Sequence, residues 1–118
     1  MFYELTERES IKAAIDALCL FLEEEGASAE KIFDSKLVAT ELVENVFRHT
    51  LGTACLESKI ENGKLELKVY SSAGGTPPTV SRRAEVFAES GRGLFLIDSV
   101  CVERTQQEGL VRVLIELF

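Results

Sequence analysis

The sequence predicts an α+β fold: a two-layer α/β sandwich with three helices on one face of a four- to five-stranded mixed, mainly antiparallel sheet. Three observations carry this. Apolar residues recur at helical spacing from residue 11, through 35–47 and again from 94. Residues 54–61 and 64–70 alternate about an Asn62-Gly63 pair, and 101–105 and 110–118 read as a last hairpin. Amphipathic helices set beside half-buried strands need one shared core, which a helical layer on a sheet supplies.

The bounds are consistent with that architecture. The chain has 118 residues, 46% of them hydrophobic and 28% charged, enough for one domain over 1–118 with a real core. A net charge of -7 and a pI of about 4.8 argue against non-specific nucleic-acid or anionic-membrane binding, because both need a basic surface. They leave room for a basic protein partner. Glu4, Glu7 and Glu9 stand where a secretory signal would be basic and then apolar, and no apolar run is long enough for a bilayer. Cys19, Cys55 and Cys101 are odd in number and widely spaced, and each lies in an apolar segment. They read as buried, reduced thiols in a cytoplasmic protein. With a single histidine and no CxxC there is no zinc pattern.

In chain order, residues 1–5 suggest an edge strand, and Thr6 with Glu9 spells a capping box opening the first helix. Ile11, Ala14, Ile15, Leu18 and Leu22 form its apolar stripe, and Gly26 ends it. Glu23, Glu24 and Glu25 at that end oppose the helix dipole, so the end is expected to fray or to face a basic partner. Ser28 or Asp34 caps the second helix, which stops near Gly52. Asn62-Gly63 suits a type I′ turn, since both residues tolerate positive φ. Residues 71–90, with Gly74-Gly75, Pro77-Pro78 and Arg82-Arg83, read as a long basic-tipped loop with the character of a lid. A third helix is expected over 94–100. In the last strand Leu114 and Phe118 occupy the second face, which suggests cover on both sides.

Two stretches carry chemistry. On the second helix Glu41, Asn45 and His49, at i, i+4 and i+8, fall along one edge of the apolar arc formed by Val38, Leu42, Val46 and their neighbours. Polar groups desolvated there without partners would cost about 1–3 kcal/mol each, so each needs a bonding partner, protein or ligand. Gly91, Arg92 and Gly93 then precede the apolar run that starts at Leu94. A glycine turn leading into a helix presents backbone N–H groups and partial positive charge to an anion.

The wording of these stretches, E-L-V-E-N-V-F-R-H and E-S-G-R-G-L-F-L-I, resembles the N box and second glycine box of the Bergerat-fold (histidine-kinase-like, GHKL) ATPases, and most of all the bacterial anti-sigma-factor serine/threonine kinases. The resemblance implies ATP and Mg2+ as cofactors. Asn45 would be the magnesium ligand, Glu41 the catalytic base, and His49 a border of the pocket. Gly91, Arg92, Gly93 and Leu94 would wrap the phosphates. The first glycine box departs from the pattern: in Val69-Tyr70-Ser71-Ser72-Ala73-Gly74-Gly75, Ser71 takes the place of the adenine-reading aspartate, or Ser72 does in a shifted register, with Gly75 closing the box. ATP is then expected to bind weakly and to be poorly distinguished from GTP.

Two functions are therefore expected. One is an ATP-dependent kinase that regulates transcription through a sigma factor or an antagonist protein. The other is a non-catalytic interaction module with decayed nucleotide binding. Self-association into a homodimer is compatible with both.

Overall fold

The computed structural model describes residues 1–7, 9–49, 53–71, 97, 99–107 and 109–118, with His49 described in its backbone alone. The elements run β1 (Phe2–Leu5), α1 (Ser10–Glu24), α2 (Ala29–His49), β2 (Ala54–Glu61), β3 (Lys64–Ser71), β4 (Glu103–Gln107) and β5 (Leu110–Glu116). The strands form one sheet in the order β1-β2-β3-β5-β4. Every pairing among the described strands is antiparallel. Both helices pack on one face, as a two-layer sandwich requires.

The helix boundaries differ from the expected ones. The Thr6/Glu9 capping box does not form: α1 starts at Ser10, behind Glu9, whose backbone is helical and whose side chain makes no cap bond. A turn intervenes, in which the Ser10 N–H and hydroxyl both donate to the Glu7 carbonyl. The far end of α1 is closed by backbone hydrogen bonds. The Gly26 N–H donates to the Glu23 carbonyl and the Ala27 N–H to that of Leu22, with Gly26 at φ 85°. This pattern of paired bonds around a left-handed glycine closes the helix tightly. Of the two candidate caps for α2, Ser28 is used: its Oγ accepts from the Lys31 N–H at 3.2 Å, and the helix starts well before Asp34.

The β2–β3 hairpin has the expected two-residue turn, with Glu61 paired to Lys64, Asn62 at φ 54° and Gly63 at φ 75°. A Cβ at Gly63 would lie 3.7–3.8 Å from Phe118, ordinary contact, so an alanine there is penalised by backbone strain alone. Gly63→Ala is expected to lower stability by about 1–2 kcal/mol. Urea unfolding with an unchanged slope would check it.

One cluster forms the core: Leu5 from β1, Ile11, Leu18 and Leu22 from α1, Val38, Leu42 and Val43 from α2, and the inward residues of β2, β3 and β5. Val46, expected in it, is half-buried, and the expected Leu96 lies outside the described residues. Ile97 is fully buried in the same cluster and helical, and its carbonyl accepts from the Cys101 N–H at 2.8 Å. The rest of the expected third helix, apart from Ser99 and Val100, which are also helical, lies outside the described residues. The three cysteines are half-buried rather than buried, and none is in a disulfide. Burial raises the thiol pKa of Cys19 and of Cys55.

Among the described residues, no helix or strand covers the second face of β5. Phe118 is 64% exposed and Leu114 only half-buried. Their strand register places them among charges instead: Glu66 pairs with Leu114 across β3–β5 and with Lys59 across β2–β3. Glu66 is only 9% exposed on this open face. Its Oε2 accepts from Arg112 Nε at 2.6 Å, while Lys59 and Lys68 each approach Oε1 to 3.7 Å. The stems of these long side chains cover the carboxylate while their charges compensate it.

Candidate functional site

The residues singled out by sequence that lie among the described ones come from two elements. α2 carries Glu41, Asn45 and His49, as its amphipathic period requires, and β3 ends on Ser71. Glu41 and Asn45 are half-buried at the edge of the helix's core face. Asn45 Oδ1 accepts from Arg48 Nη1 at 3.0 Å, one turn further along α2. The Ser71 N–H donates to the Gly109 carbonyl at 2.9 Å. Its buried hydroxyl oxygen has no hydrogen-bond partner, a property shared only with Ser58 among the described residues. Gly75, Gly91, Arg92, Gly93 and Leu94, and with them the expected lid, lie outside the described residues. The glycine half of the expected pocket is therefore not placed against the α2 half.

No cluster of three or more His, Cys, Asp or Glu able to hold a metal occurs among the described residues. A magnesium ion does not need one, because it commonly takes one or two protein oxygens and fills its shell with water and phosphate oxygens. The Glu41 carboxylate and the Asn45 amide oxygen are hard donors of that kind. No described helix is long and apolar enough to cross a membrane.

A second surface was not singled out in the sequence. The outward side of α2, opposite the core arc, carries Glu30, Phe33, Leu37 and Glu44, and the half-buried Glu41 lies at the border between this stripe and the core edge. Phe33 is 59% exposed and Leu37 37%, and on α1 Leu20 is 57% exposed. The helices lie side by side, with Lys36 close enough to Cys19 to act on its thiol. The signal was legible: Phe33 and Leu37 fall outside the apolar arc of the helical wheel, where charged residues are usual.

Comparison with known proteins corrects the family reading. No family model matches the chain, and no curated protein matches it. Among solved structures, a chain from the crystal structure of the SiaB-SiaC complex from Pseudomonas aeruginosa superimposes with a TM-score of 0.71 and 16% sequence identity. The match covers 98% of this chain and 88% of that one. At that identity the likeness is one of fold. The resemblance to the Bergerat-fold ATPases and anti-sigma-factor kinases is not upheld, since this structural neighbour is a complex of two proteins, SiaB and SiaC, and no family model supports a GHKL kinase. The physical reason lies in how little the two boxes specify. Any helix packed on a sheet can place polar residues at i, i+4 and i+8 along its edge, and glycines before a helix are a common turn.

Proposed function

We propose that this chain is a regulatory protein-interaction module whose work is to bind another protein. The observation that supports it is the fold match over 98% of the chain to a member of a two-protein complex. The partner class in keeping with this is a regulatory protein, such as a sigma factor or an antagonist protein, in a reducing cytoplasm that suits three cysteines outside any disulfide. Isolating the tagged chain from its source cells tests the reading. A stoichiometric complex with one protein, reproduced on reconstitution from the two purified chains, is the expected result. A chain recovered alone, which also fails to bind the proteins encoded beside it, would overturn it.

A second reading is favoured by the unpartnered hydroxyl of Ser71 at the end of β3. In it the edge formed by Glu41 and Asn45, with the glycine-containing stretch 91–94, holds Mg-ATP. Asn45 would supply an oxygen to the magnesium and Glu41 would act as base toward a serine or threonine hydroxyl. Calorimetric titration with ATP and GTP, with and without magnesium, separates the readings. If nucleotide is bound, Asn45→Ala is expected to abolish the magnesium-dependent part while changing stability by less than about 1 kcal/mol. Absence of heat with wild type leaves the interaction module alone.

A further inference from the structure

We infer that the outer face of the helical layer, centred on Phe33 and Leu37, docks a basic amphipathic helix of a partner protein. The inference rests on the interaction reading above and names where and by what chemistry the partner is held. Two large apolar side chains one turn apart, both exposed, are what a helix laid against α2 would cover, and α1 exposes a further large apolar residue, Leu20. Acidic residues border the pair along the stripe: Glu30 on one side, Glu41 and Glu44 on the other.

The end of α1 points the same way. Glu23 and Glu24 close the helix and Glu25 caps it, all three exposed, where the partial negative charge of the helix C-terminus already disfavours anions. Fraying would relieve that repulsion, yet the glycine closure at Gly26 holds the carboxylates in place. A partner bringing lysines or arginines would relieve it instead. The occupant that fits is therefore a helix with leucine-like residues at i, i+3, i+4 and i+7 and cations on its flanks. A second copy of this chain would bring its own acidic surface, at net charge -7, against this one.

The probe is a dye-labelled synthetic peptide of about 18 residues, with leucines at those spacings and lysines elsewhere, followed by fluorescence anisotropy on the full chain. A scrambled peptide of the same composition and one with glutamate in place of lysine serve as comparisons. Binding of the first peptide is expected, weakened by salt, with the scrambled peptide at least about tenfold weaker and the acidic one unbound. Phe33→Ser combined with Leu37→Ser is expected to weaken binding about tenfold or more, whereas Phe118→Ser, on the open sheet face, leaves it unchanged. Unaltered melting temperatures show that the variants fold, and the single Phe33→Ser change is the fallback if the double variant does not.

Equal binding of the scrambled peptide would overturn the inference, as charge alone would then suffice. So would an equal loss in Phe118→Ser, or light scattering showing wild-type dimers that the double variant dissociates. A native complex that survives the double substitution would sink this surface while leaving the interaction module standing. Failure to find any complex would sink the module, and the peptide titration would then judge the surface by itself.

Discussion

Truncating Leu67 to alanine is expected to lower the unfolding free energy by about 2–5 kcal/mol, the range for a leucine removed from a packed core. Leu67 is fully buried in the middle of β3. It is flanked in register by Ser58 on β2 and Val113 on β5, so neighbouring strands hold the space open and the cavity cannot easily collapse. A domain of this size has roughly 5–15 kcal/mol in all, so the variant stands near its limit at room temperature. At about 4 °C per kcal/mol the melting temperature should fall by roughly 8–20 °C. Val46→Ala, at a half-buried position, should fall by much less. Equal losses at the two sites would mean that the core is not organised around the sheet's inner face.

The second large effect concerns the open face. Arg112→Ala is expected to cost about 1–3 kcal/mol, because it leaves a carboxylate only 9% exposed without its closest partner. The value falls short of a fully buried pair because Arg112 is itself partly exposed and Lys59 and Lys68 stay at 3.7 Å.

Burial pushes the Glu66 carboxyl up, but the hydrogen bond and charge of Arg112 and the charges of Lys68 and Lys59 outweigh it and hold it below the usual carboxylate range. With the folded value below the unfolded one, the unfolded chain takes up the proton first as pH falls. The stabilisation is therefore fully present above the unfolded value of about 4.3 and is lost as pH drops through the lower folded value. Melting curves from about pH 7 to pH 3 should show wild type losing its advantage over Glu66→Gln on the acid side. A constant gap between the two across that range would mean that the cluster contributes nothing through charge.

The elements that the sequence alone determined are those whose signals are local. Asn62-Gly63 names its own turn because only residues that tolerate positive φ can make it, and the register of β2 with β3 follows from it. Gly26 likewise ends α1, and the apolar periods of α1 and α2 specify which faces are buried. In the candidate site, the helix edge bearing Glu41 and Asn45 was legible for the same reason, whereas whether it belongs to a pocket depends on chain far away in sequence.

What only the tertiary structure decided involves partners distant in sequence. The start of α1 was misplaced because a turn at residues 7–10 and a capping box draw on the same polar residues, and no local rule ranks them. The alternation of β5 could not say whether its second face meets a helix or water. That depended on β3 bringing Glu66, and β2 bringing Lys59, beside Leu114, which sets an ion cluster on that face among the described residues. That Phe33 and Leu37 lie off the core arc was legible in the period of α2, but that no described element packs over them was decided by the placing of α1 beside α2 and of both on the sheet.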